Sequence, residues 1–179
     1  MDYLSQYIIS FNGLDCGKDY VYEFKVDDVF FSLFEKSEIN GGNVDVTVTI
    51  NKKATSFDLN FELKGKVKVI CDRCLEEYLQ DIEIKDVVMV KFGNETNFDT
   101  DDDFVTIERS ATNINISQFI YELAHFALPF VRVHPTDKKG KSQCNPKMLK
   151  KLEEYSIKEI ETEEIDPRWG KLLEIKNKI

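Results

Sequence analysis

The sequence predicts an α+β fold: a mainly antiparallel β-sheet, or a partly open barrel, with two to three C-terminal helices. Three observations carry this reading. Apolar and polar residues alternate through most of the first 110 residues, and helical spacing begins only after residue 115. Strands followed by helices, with no βαβ alternation, argue against a doubly wound nucleotide-binding fold.

The clearest strand covers residues 43–50, where Val44, Val46, Val48 and Ile50 face one way and Asp45, Thr47 and Thr49 the other. After Asn51-Lys52-Lys53 the alternation resumes with Phe57, Leu59, Phe61 and Leu63, so the two runs form an antiparallel hairpin. Val67 and Val69 keep the same parity beyond Gly65, a glycine that marks a bulge or a bend. Further strands are expected at 20–26, 79–84, 87–92 and 104–108, with another near 4–11. Residues 28–34 are apolar but short, and fit a helical turn or a strand. Gly41-Gly42 reads as a turn between strands, and no glycine-rich phosphate loop is present.

A helix is expected to start near Ile116, capped by Asn115 or Ser117, with Phe119, Ile120, Leu123, Phe126 and Ala127 as its apolar stripe and Pro129 as its stop. Pro146 opens a second helix through Met148, Leu149, Leu152 and Tyr155. Asp166-Pro167 opens a third turn, which places Trp169, Leu172 and Leu173 on one face. The expected organisation is a single α+β domain over residues 1–160 and a tail over 161–179 that carries the Asp-Pro-Arg-Trp element.

Composition bounds the function. The 179 residues hold 24 Lys and Arg against 33 Asp and Glu, a net charge of −9. That excludes a general nucleic-acid coat, which needs a broad basic surface, but leaves room for a local basic patch. Apolar residues make up 42% and charged residues 32%, which is neither disordered nor membranous. No apolar run reaches the ~18 residues of a membrane span. The opening MDYLSQYIISF lacks the basic and small-residue pattern of a signal peptide, so a cytoplasmic location is expected.

The sharpest local feature is Cys71-Asp72-Arg73-Cys74, directly after a strand. Two cysteines three apart at a strand end form half of a tetrahedral zinc site. His134 and Cys144, which flank one later loop, are the residues that would complete it; His125 and Cys16 are the outside candidates. Reduced thiols on a turn are the alternative without metal. A thiol-disulfide oxidoreductase using the same pair is a further alternative, but it requires a helix N-terminus to stabilise a thiolate, and the neighbouring Asp72, Glu76 and Glu77 oppose one. Asp99, Asp101 and Asp103 resemble the start of a calcium loop, yet Phe104 and Ser110 stand where Gly and Glu are required, so a solvated acidic loop fits better. With two histidines and no traceable Ser-His-Asp arrangement, nothing points to acid–base catalysis or a small-molecule substrate.

Charge is unevenly placed. Between residues 132 and 151 stand seven basic residues (Arg132, Lys138, Lys139, Lys141, Lys147, Lys150 and Lys151) against Asp137 alone, a local net of +6. Such a stretch serves as a phosphate-contacting patch or as a solvated face. Aromatic residues are sparse within it, so phosphate contact fits better than base stacking.

The order of these elements has a parallel. A strand runs into Cys71-Asp72-Arg73-Cys74-Leu75-Glu76; a helix ends in Leu128-Pro129, followed by His134 and Cys144; the chain closes with Asp166-Pro167-Arg168-Trp169-Gly170-Lys171-Leu172. Over roughly residues 40–175 this resembles the YceD-like family, named for large ribosomal RNA subunit accumulation. The resemblance implies a bacterial cytosolic, non-catalytic factor supporting ribosomal RNA accumulation or ribosome assembly. Its partner would be ribosomal RNA or an assembly or processing protein. Arg132, Lys138, Lys139, Lys141, Lys147, Arg168 and Trp169 are the candidate contacts, and zinc is the candidate cofactor.

Overall fold

The computed structural model describes residues 3–35, 37–98 and 104–156. The chain divides into two compact units, Met1–Asn145 and Pro146–Ile179. The acidic run 99–103 and the closing Asp-Pro-Arg-Trp element, with Arg168 and Trp169, lie outside the described residues.

The first unit is built on a five-stranded open sheet in the order β2-β3-β4-β5-β6. Strands β2 (Asp19–Val26), β3 (Gly41–Lys52), β4 (Ser56–Ile70) and β5 (Glu77–Gly93) pair antiparallel in succession, and β6 (Phe104–Glu108) joins β5 in parallel. No barrel closes. A 3-10 turn, Tyr3–Tyr7, leads into β1 (Ile8–Ser10), which pairs with β7 (Asn113–Asn115) as a separate two-stranded sheet. Helices α1 (Asp28–Ser32) and α2 (Ser117–Phe126) complete the unit. The second unit contributes α3 (Pro146–Tyr155). Among the described residues no helix is long and apolar enough to cross a membrane.

The alternation read from sequence sets the faces of the sheet. Val44, Val46, Val48 and Ile50 of β3, and Phe57, Leu59, Phe61 and Leu63 of β4, are fully or almost fully buried. They meet Tyr7, Phe30, Phe31 and the α2 stripe of Phe119, Ile120, Leu123 and Ala124 in one core. Helix α1 starts on a side-chain cap, whereas the N-cap of α2 is Ile116 and not the expected Asn115 or Ser117; Asn115 bonds the first helical N–H from one residue earlier. The Asp27 carboxylate accepts from the Phe30 N–H at 3.1 Å, and Asn115 Oδ1 accepts from the Ser117 N–H at 2.9 Å.

Five details differ from the sequence reading. Residues up to Tyr7, read as part of a strand, form the 3-10 turn, and Phe126, read into the α2 stripe, is 74% exposed because the buried stripe runs through Phe119, Ile120, Leu123 and Ala124. The expected strands at 79–84 and 87–92 are one strand, β5, because pairing with β4 continues through Lys85↔Glu62 and Asp86↔Phe61. Asp86 breaks the apolar parity there, but the unbroken β4 template keeps the backbone extended. Gly41 and Gly42 open β3 instead of forming a turn. Gly65 makes no bulge: its pairing runs in register from Val44 through to Ile82. A Cβ at Gly65 would overlap the carbonyl oxygen of Asn43 and the Cα of Val44, so the residue permits a close backbone approach.

The opposite sheet face carries rows of matched charges among exposed apolar residues such as Val21, Leu79 and Val87. Register sets Lys25, Asp45, Lys64 and Glu83 in one cross-strand row, with contacts of 3.8 Å (Lys25–Asp45) and 3.2 Å (Lys64–Glu83). Lys85–Glu62 at 2.6 Å, Lys66–Asp81 at 3.2 Å and Lys68–Asp28 at 2.8 Å extend the pattern. The Lys68 ammonium and the Gly42 N–H hold the Asp28 carboxyl below its ordinary range. These pairs are exposed and each contributes little to stability, but they leave the sheet's cations occupied.

Two substitutions test this packing. Phe61→Ala should cost about 3–5 kcal/mol, the usual range for an emptied core phenylalanine. Gly65→Ala should also lower the urea unfolding midpoint, because its clash is with backbone that cannot move aside. By contrast Lys64→Ala should change stability by less than about 1 kcal/mol.

Candidate metal centre

Strand β4 ends at Ile70, and the chain turns at once. The Leu75 N–H donates to the Cys71 carbonyl and the Cys71 N–H to the Glu76 carbonyl, both at 2.9 Å. This tight turn delivers the chain into β5 and aims both cysteine side chains inward; Cys71 and Cys74 are buried. Its cost falls on Leu75, which adopts φ 60°, a left-handed conformation that leucine rarely takes.

Residues 132–145 close over the turn. The Arg132 N–H donates to Asp72 Oδ2, and the Asp72 N–H donates to the Arg132 carbonyl, each at 2.7 Å. The Arg132 guanidinium reaches Glu38 at 2.6 Å and Asp72 at 3.7 Å. Beyond His134 the chain makes a small hairpin. Thr136 bridges Ser142, the Asp137 N–H donates to the Lys141 carbonyl at 2.8 Å, and Gly140 takes φ 77° at the tip. Asp137 Oδ1 accepts from the Lys139 and Lys141 N–H groups at 2.8 Å each. The returning strand brings in Cys144, and the Asn145 side-chain amide donates to Glu76 at 2.6 Å.

These segments converge on one point. Cys71, Cys74 and Cys144 Sγ and a ring nitrogen of His134 all lie within 4.8 Å of one another, close enough to hold a metal ion. The Cys71 and Cys144 sulfurs are 3.8 Å apart, and Cys74 Sγ is 3.3 Å from His134 Nδ1. A disulfide would need about 2.05 Å. The edge of a sulfur tetrahedron around an ion with bonds of ~2.3 Å is about 3.8 Å, so the spacing suits zinc without rearrangement. Three sulfurs and one imidazole are a donor set zinc favours, and four protein ligands leave no open position for a substrate.

The electrostatics treat the two cysteines of the turn differently. Burial opposes ionisation of Cys71. Hydrogen bonds from the backbone N–H groups of Cys74 and Arg73, and from the side chain and N–H of His134, outweigh it and bring the thiol down to about 6. Burial holds the Cys74 thiol up. Tyr78 lies against the His134 ring at 4.8 Å between centroids, and its hydroxyl is held by Gln80 at 2.8 Å. Its own ionisation is pushed up, first by burial and then by the charge of Cys71.

The other sequence candidates fall elsewhere. Cys16 is exposed and unpaired. His125 bonds the Tyr121 carbonyl at 2.9 Å within α2. Neither belongs to the cluster. Residues after Cys74 enter β5, so the helix N-terminus that a thiol oxidoreductase requires is not built at this pair. Lys138, Lys139 and Lys141 stand exposed on the hairpin tip, and Lys147 is exposed on α3 in the second unit. Arg132 is half-buried and engaged with two carboxylates. Sequence reading missed the Asp72–Arg132–Glu38 clasp, the Tyr78–His134 contact and the Asn145–Glu76 bond. Only the position of Asp72 between the two cysteines marked any of them.

Fold and site together define a small α+β protein in which a Cys₃His cluster joins a sheet turn to a basic hairpin. The sequence profile of the family described as large ribosomal RNA subunit accumulation protein YceD matches residues 59–176. That match spans well over half of the chain and all four cluster residues, and the chain belongs to this family. No curated protein and no solved structure matches it.

The left-handed Leu75 is testable. Its side chain is 66% exposed, so little packing is lost on truncation. Leu75→Gly should hold or raise stability by up to ~1 kcal/mol, since relief of ~1–2 kcal/mol of left-handed strain exceeds glycine's entropic cost. Leu75→Val should lower it by about 1 kcal/mol, because a β-branched residue tolerates this conformation worse. Urea unfolding of the metal-loaded protein checks both signs.

Proposed function

We propose that the chain is a non-catalytic cytoplasmic factor in large-subunit ribosomal RNA accumulation, whose zinc centre holds a basic hairpin ready for RNA phosphates. The observation that carries this reading is the closed Cys71, Cys74, His134, Cys144 cluster and the hairpin it anchors. A zinc ion there would be structural: it would bind the four side chains and fix the loop, with no vacant coordination position at which to activate water. Cys71 and Cys74 would secure the sheet side, and His134 and Cys144 the hairpin side. Asp72 and Glu38 orient Arg132, while Asp137 shapes the loop through its backbone contacts.

The family description supports the process, and the charge distribution supports the contact. A protein of net charge −9 approaches a polyanion only through a local cationic surface. Lys138, Lys139 and Lys141 supply one, exposed on the hairpin. Arg168 and Trp169 are further candidate contacts beyond the described residues.

Two measurements test the proposal. Protein purified without chelator should carry about one zinc per chain, and Cys144→Ser should lose most of it. Chelation should speed amide exchange in residues 132–145 while β3 and β4 stay protected; absence of bound zinc would remove the metal. Filter binding to a large-subunit ribosomal RNA fragment should weaken steeply with salt. Replacing Lys138, Lys139 and Lys141 by Ala should flatten the log–log slope by about two units, at ~0.7 per phosphate on single strands. Stability of that variant should stay within ~0.5 kcal/mol of the parent. No RNA affinity at low salt would overturn the RNA reading.

A further inference from the structure

We infer that the metal-tied lobe binds unpaired RNA, stacking bases on Phe126 and Phe130 while the hairpin lysines hold the phosphates. The inference rests on the RNA reading above and names the form of RNA it takes. Phe130 is fully exposed and Phe126 is 74% exposed. The other described phenylalanines each meet a second ring or, for Phe104, a lysine; these two meet none. With Val131, also exposed, they put three large apolar side chains on the surface within six residues, the kind of local concentration that marks a binding surface.

Their placement says what the surface fits. Phe130 lies two residues before Arg132, whose backbone is bonded in both directions to Asp72 of the cysteine turn. That puts the ring within about 7 Å of chain from the clasp, on the lobe that carries Arg73 and the hairpin. Among the described residues Arg73, Lys138, Lys139 and Lys141 have no acidic partner, whereas Lys25, Lys64, Lys66, Lys68 and Lys85 of the sheet are each paired. Exposed aromatic faces at 126 and 130 and cations at 138, 139 and 141, on one short stretch of chain, match a single-stranded nucleic acid: phosphates need the second, and exposed base faces the first. A duplex hides its base faces and could use only the cations. An acidic protein segment would use the cations but gain little from two flat rings.

The test measures fluorescence anisotropy of zinc-loaded full-length protein against three probes: a single-stranded RNA, its duplex, and an abasic strand with the same phosphates. Wild type should prefer the single strand over the abasic strand by at least tenfold. Phe130→Ala should weaken single-strand binding about tenfold or more, and Phe126→Ala similarly, with abasic and duplex binding unchanged. Phe130→Trp should retain or tighten binding. Urea unfolding and zinc content of each variant separate a folding defect from a lost contact. Equal affinity for the single and abasic strands, or undiminished binding by folded Phe126→Ala/Phe130→Ala protein, would overturn base stacking while leaving phosphate contact intact. Should wild type bind none of the probes at low salt, the RNA reading itself falls. Self-association abolished by the same double substitution, with RNA binding unaffected, would assign the rings to a second copy of the chain.

Discussion

The structure around the candidate site depends on one closure: Cys71 and Cys144, 73 positions apart, meet at 3.8 Å. Across residues 132–145, Cys144 is the one buried side chain. The hairpin therefore has almost no apolar surface with which to hold itself against the sheet. Its backbone reaches outside the segment through the Asp72–Arg132 exchange and through the His134 and Asn145 N–H groups on the Cys71 and Cys74 sulfurs. Holding such a polar segment across so long a loop carries a closure entropy that so few bonds offset poorly. A metal held by the four side chains, two from each side, would provide the missing anchor, and its binding energy would then serve as folding energy for the lobe.

This division of labour separates the two halves of the first unit. The sheet is held by apolar burial on one face and screened by paired charges on the other. Its Lys25, Lys64, Lys66, Lys68 and Lys85 already face carboxylates, so they offer little to a polyanion. The lobe has the opposite character: little apolar burial and, among the described residues, lysines without a carboxylate partner, with the exposed Phe126 and Phe130 just before it in the chain. A segment free of packing duties can present such groups without loss of fold, provided something else fixes its position. The strained Leu75 belongs to the same arrangement, since the turn that aims two sulfurs at one point forces an unfavourable φ on the residue after them.

Much of the fold was legible in the alternation of Val, Ile, Phe and Leu. Residue parity named the buried faces of β3 and β4, and the start of α2 was announced by Asn115. Short elements were not legible. β1 and β7 have three residues each and owe their pairing to each other, across more than 100 positions. β5 read as two strands because Asp86 interrupts its parity, and only the continuous β4 template shows it to be one.

The sequence by itself determined the residue chemistry: strand periods, helix starts, a cysteine pair at a strand end and a basic stretch in an acidic chain. Those are local properties, written in spacings of two, three and four. Tertiary structure decided which of Cys16, His125, His134 and Cys144 join the pair, which cations are already matched by carboxylates, and which phenylalanines miss the core. Such questions turn on distances between residues tens of positions apart, and those are set by strand register and packing, which no local spacing encodes.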